Sequence, residues 1–203
     1  MKIVVPPQNT VADCKVLMDR TRILDYMPKN AVVAEVGTRE GHFSRLILDK
    51  TNPTELHLLD LNWTRFEREK FLNEIELKRV ILHNRDSARG IRTFPVWHFD
   101  WIYIDASHDY ASVRRDIDAA VGRVKPGGYL IFNDYIGFTR RGDEYGVVRA
   151  VNELLCAGGW KMRYLALQKG GYHDVVLQQQ VAGLTHLKGS LGSDGCCNDE
   201  CLQ

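Results

Sequence analysis

The sequence has no apolar run long enough to cross a bilayer. The longest, at residues 31–36, falls far short of the roughly 20 residues that a spanning helix needs. Its opening residues, Met1-Lys2-Ile3-Val4-Val5-Pro6-Pro7, have neither the apolar stretch nor the cleavage pattern of a secretory leader, so none is expected. An excess of charge of one sign is missing too. Twenty-seven Lys and Arg against 26 Asp and Glu leave +1, which gives no global attraction to nucleic acid or membrane. Cysteine is sparse and odd in number. Cys14 and Cys156 fall in helical patterns, whereas Cys196, Cys197 and Cys201 crowd the last eight residues. A disulfide framework is therefore not expected, and a reduced, cytoplasmic setting is. No internal repeat is visible.

What remains is ordinary for a globular chain. With 203 residues, 44% hydrophobic and 26% charged, it suits one α/β domain with a core of its own. An extended arm leads to Thr10, which can cap a helix over residues 11–26. Residues 31–36 are a continuous apolar run bounded by turn signals, as in a buried parallel strand. Further strands are read at 55–59, 79–83, 101–104, 129–132, 161–167 and 174–179. Helices are read at 42–50, 64–75, 88–93, 110–124 and 147–157, with turns at Lys125-Pro126-Gly127-Gly128 and a mobile loop over 136–145.

Alternating strands and helices predict an α/β fold: a Rossmann-like, seven-stranded, mostly parallel sheet with helices on both faces. The last two strands are joined only through a Gly-rich turn, so they form an antiparallel C-terminal hairpin. The expected organisation is an arm and helix over 1–30 able to cover a site on the sheet, an α/β domain over 31–180, and a disordered, Cys-rich tail over 189–203. That tail has almost no apolar bulk to offset the entropy of ordering it.

In open parallel sheets, ligands bind outside the carboxyl ends of the strands. Glu35, Asp60, Asp86, Asp105 and Asp134 each end a strand or closely follow one, at gaps of 25, 26, 19 and 29 residues, about one β-α unit each. One acid in a loop means little, but five in register point to a shared site. The first turn, Glu35-Val36-Gly37-Thr38-Arg39-Glu40-Gly41, lets the backbone approach a ligand and opens a helix whose N–H groups can face an anion. Asp60, followed by Leu61, stands where an acid can bind a ribose diol. The pyrophosphate fingerprint G-x-G-x-x-G is absent, because Thr38 and Arg39 occupy its place. A ligand with a ribose and no pyrophosphate fits better than a dinucleotide.

Glu35-x-Gly37-x-x-x-Gly41, Asp60, Asp86-Ser87, the run Phe99 to Asp105 and Lys125-Pro126-Gly127-Gly128 together resemble the ordered motifs of class I S-adenosylmethionine-dependent methyltransferases, over roughly residues 30–180. The resemblance implies that Glu35, Gly37, Thr38 and Gly41 hold the methionine end of S-adenosylmethionine. It implies that Asp60 and Leu61 meet the ribose, that Asp86 and Ser87 meet the adenine, and that Asp105 lies beside the cofactor. Within that class, Asp105-Ala106-Ser107-His108-Asp109-Tyr110 with Asn133-Asp134-Tyr135 resembles the methyltransferase-24-type, macrolide-sugar and catechol-type O-methyltransferases. By that likeness Asp105, Asn133 and Asp134 hold Mg²⁺, and His108 with Asp105 carries the catalysis, His108 as general base. The sequence departs from some relatives in having the amide Asn133 for an acid, and from the catechol type in having His108 for a lysine.

The acceptor implied is a hydroxylated small molecule, a sugar or natural product, with neither nucleic acid nor membrane as partner. Small enzymes of this type often form homo-oligomers, which the sequence does not demand. The rivals are a metal-free N- or protein methyltransferase and a non-catalytic S-adenosylmethionine-binding module. The bland reading of each residue stands beside these. Glu35 could pair with a nearby Arg, Asp86 could be a turn residue, and His108 and Asp109 could simply start a helix. Trp63 could flank an adenosine, although packing is the ordinary role. His42, His57, His83, His98, His173 and His186 show no metal-ligand spacing and are read as structural or solvated.

Overall fold

The structure, a computed structural model, describes residues 4–181. The tail over 189–203, with its three cysteines, lies outside the described residues. Eight strands form one sheet: β1 (Lys15–Leu17), β2 (Val32–Val36), β3 (Glu55–Asp60), β4 (Val80–Asn84), β5 (Phe99–Ile104), β6 (Val124–Phe132), β7 (Trp160–Ala166) and β8 (Asp174–Gln179). Their spatial order is β1-β7-β8-β6-β5-β2-β3-β4. All neighbours are parallel except β8, which runs antiparallel to both β6 and β7. The seven expected strands and the closing hairpin are all present, and β1 adds an eighth at the edge.

The helices are α1 (Ile23–Tyr26), α2 (His42–Thr51), α3 (Leu72–Glu76), α4 (Ser87–Arg92), α5 (Tyr110–Ala120) and α6 (Val147–Cys156). They cover two faces. Ala88, Ile91, Val113, Ile117, Val147, Val151 and Leu154 of α4, α5 and α6 bury one side of the sheet. Ile23, Leu24, Phe43, Ile47 and Phe71 bury the other. Phe99, Trp101, Ile102 and Tyr103 of β5 are fully buried between these layers. Each such side chain contributes about 1.5–3 kcal/mol by leaving water, so the central strand is rigid where the site is built on its tip. On the face of α4, the rings of His57, His83 and His98 pack with Phe94 and Phe99. Burial holds all three imidazoles below the usual histidine range, His57 at about 4.

Three expected elements are corrected. The helix over 11–26 is absent: a 3₁₀ turn at Gln8–Thr10, the edge strand β1, a second 3₁₀ turn at Arg20–Arg22 and the single-turn α1 take its place. The Thr10 hydroxyl caps nothing downstream and donates to the Pro7 carbonyl instead. Pairing to β7 satisfies the backbone of Lys15–Leu17, which a short isolated helix in water could not do as well. The helix over 64–75 shrinks to a 3₁₀ turn at Arg68–Phe71 followed by α3. The Lys125-Pro126-Gly127-Gly128 turn falls inside β6, where a register shift between Phe99↔Val124 and Trp101↔Tyr129 takes up the extra residues. Within the expected loop over 136–145, Phe138 and Glu144 pair as an isolated antiparallel bridge.

β2 is the switch point. The chain proceeds from it to β3 and β4 on one side, then returns to its other side for β5 and β6. Loops leaving the carboxyl ends of β2 and β5 therefore diverge, and a crevice opens between them.

Candidate active site

Backbone hydrogen bonds continue past the strand ends and fix the tips side by side. Gly37 N–H donates to Leu59 O (2.9 Å), Asp105 N–H to Val36 O (2.8 Å) and Asn133 N–H to Ile104 O (3.0 Å). Gly37 has φ +88°, and a Cβ there would lie 2.0 Å from Asp105 O. The turn after β2 thus packs directly on the backbone after β5, a contact that only glycine permits. Asp60 ties down the same turn: its Oδ2 accepts from the N–H groups of Thr38 and Arg39, both at 2.9 Å, and its Oδ1 accepts from Asn62 N–H at 2.9 Å.

Two clefts meet at Gly37, Arg39, Asp105 and Ala106. One, of about 510 Å³, runs past Asp60, Leu61, Asp86, Ser87, Ser107 and Arg115. The other, of about 590 Å³, holds Glu35, Thr38, His108, Asn133, Asp134 and Arg20 among its walls. Both sizes are those of small-molecule sites. Nine of the expected site residues besides Gly37 and Asp105 line one cleft or the other: Glu35, Thr38, Asp60, Leu61, Asp86, Ser87, His108, Asn133 and Asp134. Gly41 does not line either; it ends the turn at φ +86° and stands at the N-cap of α2, where it offers no side chain to the helix's first N–H groups. Leu61, 69% exposed, presents an apolar surface suited to a flat ring.

Some bland readings hold in part. Asp86 caps α4 by accepting from Arg89 N–H (3.1 Å), and Asp109 caps α5 by accepting from Ser112 N–H (3.0 Å) and Ser107 Oγ (2.6 Å). Glu35 neither caps a helix nor pairs with an Arg within hydrogen-bonding distance. Its buried carboxyl accepts from Ser44 Oγ on α2. Ser87 Oγ donates to Asp116 on α5 (2.5 Å). Trp63 packs edge-on against Phe66 at 5.1 Å rather than along either cleft.

The second cleft is crowded with carboxyls. His108 Nε2 lies 3.5 Å from Asp134 Oδ2 and 4.0 Å from Asp105 Oδ1, and its ring stacks on Tyr145 from the 136–145 loop at 4.7 Å. Asp134 is held at φ +54°, a strained backbone setting for a residue other than glycine. Asn133 Nδ2 donates to Asp174 Oδ1 (3.1 Å) and Tyr103 OH (3.3 Å), which leaves its amide oxygen as the group able to accept or coordinate. Burial pushes Glu35 up to about 8, against the Ser44 hydrogen bond, and pushes Asp105 up to about 8, against the nearby Arg20 charge. Burial likewise raises Asp134 and brings Asp174 to about 6. A cation entering this cleft would restore the ionised carboxylates.

Four contributors escape a reading by strand tips alone. Arg20 reaches in from the N-terminal segment, 3.9 Å from Asp105 Oδ2 and 3.5 Å from Tyr103 OH, with its guanidinium over the Phe43 ring. Tyr103 OH donates to Asp174 Oδ2 at 2.7 Å, and Gln168 Nε2 donates to the other oxygen of Asp174. Asp174 could have been found. It opens β8, and an antiparallel strand places its first residue, not its last, beside the carboxyl ends of its neighbours. Arg20 gave no such signal, because its segment was read as a helix.

A family model described as a methyltransferase domain matches residues 34–135, half of the chain. No curated protein sequence matches. Solved structures share the fold at low identity. The pyocyanin biosynthetic protein PhzM superposes with a TM-score of 0.58 at 14% identity, over 78% of this chain and 52% of that one, so this chain spans about half of its length. Precorrin-6y C5,15-methyltransferase from Geobacter metallireducens GS-15 gives 0.59 at 18% identity, over 79% and 86%. The [4+2]-cyclase SpnF gives 0.60 at 12% identity, over 80% and 81%.

Proposed function

The chain belongs to the methyltransferase-domain family and is an S-adenosylmethionine-dependent methyltransferase of Rossmann-like fold, and from that premise we propose that it methylates an oxygen of a hydroxylated small molecule, such as a sugar or decorated natural product. The observation that carries this reading is His108 Nε2, set within 4.0 Å of both Asp105 and Asp134 in the cleft adjoining the Asp60–Ser87 cleft. A hydroxyl has to lose its proton as it attacks, and a partly buried imidazole whose pKa burial lowers is neutral and able to take it.

Bound S-adenosylmethionine supplies a methyl group already activated on a sulfonium. The close-packed Gly37 turn and the cleft past it fit such a ligand, which has a ribose and a base but no pyrophosphate. Asp60 and Leu61 would hold the ribose, Asp86 and Ser87 the adenine edge, and Glu35, Gly37 and Thr38 the amino-acid end, with Gly41 closing the turn that carries them. Thr38 Oγ1, buried with no hydrogen-bond partner among the described residues, is available to that end. The protein's part is alignment: acceptor oxygen, methyl carbon and sulfur have to lie in line.

Asp105, Asn133 and Asp134 would hold Mg²⁺, and three hard oxygen donors with the Asn133 amide nitrogen already engaged by Asp174 fit that ion. The ion, when bound, lowers the pKa of the acceptor hydroxyl and orients it. Tyr145, stacked on His108, would steady the base and exclude water. No helix among the described residues is long and apolar enough to cross a membrane. The cytoplasmic setting expected from the cysteine pattern is part of this proposal.

Radiolabelled methyl transfer to a panel of hydroxylated acceptors, with EDTA or with Mg²⁺, tests the reading. Transfer to oxygen that EDTA abolishes and Mg²⁺ restores is expected. His108→Gln should lower turnover by about 10²–10⁴-fold while leaving S-adenosylhomocysteine affinity intact. A metal-free enzyme acting on nitrogen is the second reading, favoured by Arg20, a built-in positive charge 3.9 Å from Asp105. Transfer indifferent to chelation would select it. SpnF, a [4+2]-cyclase, has this fold too, so cofactor binding with no transfer to any acceptor would favour a non-catalytic or different role.

A further inference from the structure

We propose that Glu55, His57 and His98 form a second metal site, for one divalent transition ion of the zinc class, at the end of the sheet away from the crevice. Glu55 opens β3 and His98 immediately precedes β5, so both stand at the amino ends of parallel strands whose carboxyl ends build the clefts. The site is independent of the methyl-transfer reading, and the sequence spacing alone gave no hint of it. Register across the sheet brings the three residues together.

The geometry is that of a nearly closed ligand set. One ligand atom from each of Glu55, His57 and His98 lies within 4.8 Å of the others. His57 Nε2 is 3.0 Å from Glu55 Oε2. The other ring nitrogen of His57, Nδ1, is 3.0 Å from His83 Nε2. That is the arrangement of a ligating histidine whose free nitrogen is oriented by an outer partner, here His83. His98 Nε2 is buried with no hydrogen-bond partner among the described residues. Buried polar atoms are normally paired, so this nitrogen has an open position for a ligand.

The donor types select the ion. Two imidazoles and one carboxylate suit Zn²⁺, whereas Mg²⁺ wants oxygen throughout. Tetrahedral zinc with bonds of roughly 2.0–2.1 Å needs ligand atoms about 3.3 Å apart. Glu55, 45% exposed, is the side chain able to move its carboxylate as the set closes on an ion between the held imidazoles. Phe94 and Phe99 flank the rings, with Phe94 4.8 Å from His57 and stacked on His98 at 5.2 Å, and so restrict the imidazole planes. Three protein ligands leave a fourth position for water, reached from the solvent side of Glu55.

The test is a zinc titration of the full chain by calorimetry, with anomalous scattering at the zinc edge from crystals grown with equimolar Zn²⁺. Cys196, Cys197 and Cys201 are changed to Ser throughout to remove competing thiols. An anomalous peak between His57 and His98 is expected, with zinc affinity reduced at least about tenfold by either Glu55→Gln or His98→Gln. Both variants should keep wild-type circular dichroism and S-adenosylhomocysteine affinity, since neither side chain lines the clefts. Zinc found only at Asp105 and Asp134, no zinc bound, or equal affinity in the folded variants would each overturn the proposal.

Discussion

Replacing Gly37 with Ala probes the contact on which the whole crevice depends. Two penalties add. A β-carbon at φ +88° is in the left-handed region and costs about 1–2 kcal/mol by itself. The same carbon would sit 2.0 Å from Asp105 O, 2.5 Å from Asp105 C and 2.8 Å from Ala106 Cα, all backbone atoms that cannot swing aside. Ordinary carbon contacts begin near 3.5 Å, so the turn and the β5 tip have to separate by about 1 Å or more. Gly142 supplies the control. It has the same φ of +88° with nothing within 4 Å of its virtual Cβ, so Gly142→Ala carries the backbone penalty without the clash. For a domain of this size each kcal/mol lowers Tm by roughly 2–4 °C. Gly142→Ala should therefore lose about 2–8 °C and bind S-adenosylhomocysteine like the wild type. Gly37→Ala should lose more, and its affinity by calorimetry should fall at least about tenfold, or 1.4 kcal/mol. A folded Gly37→Ala protein with wild-type affinity would refute the claim that this contact shapes the proposed cofactor cleft.

Asp60→Ala strips the acceptor from three backbone N–H groups, of which only that of Thr38 is partly buried, and the loss should lower stability by about 0.5–1.5 kcal/mol as well as S-adenosylhomocysteine affinity. Chemical denaturation and calorimetry on one preparation measure both, and loss of affinity with stability unchanged would show that Asp60 does not brace the turn. Asp116 gives a pH prediction. Burial raises its pKa from 3.8 to about 6, so between those values the folded protein holds a proton that the unfolded chain has released. Its contribution to stability therefore falls as pH rises from about 4 to 6, by up to about 3 kcal/mol. The melting temperature of Asp116→Asn, plotted against pH, should decline less than that of the wild type across this window, and parallel curves would show that Asp116 is ionised throughout. In the methyl-transfer assay, Asn133→Leu should raise the Mg²⁺ concentration needed for half-maximal rate, and an unchanged requirement would remove Asn133 from the ion's ligands.

The alternation of buried runs with helical stretches was enough to establish the sheet, because a parallel strand covered on both faces has to be apolar along its length. The same logic located Glu35, Asp60, Asp105 and Asp134, since in a parallel sheet the residue ending each strand is at the ligand-binding edge whatever lies between. The closing hairpin was legible because a Gly-rich turn is too short for a crossover. Local sequence could not decide elements whose partner is distant. Residues 15–17 form a strand only because β7 offers an open edge, and no periodicity within the segment encodes that. Arg20 enters the site by way of that strand. Asp174 enters by insertion of β8 between β6 and β7. Glu55, His57 and His98 converge through strand register alone. Hydrophobic pattern is a property of neighbours along the chain and survives in the sequence. Pairing order and register are properties of contacts between segments far apart, and only the folded chain fixes them.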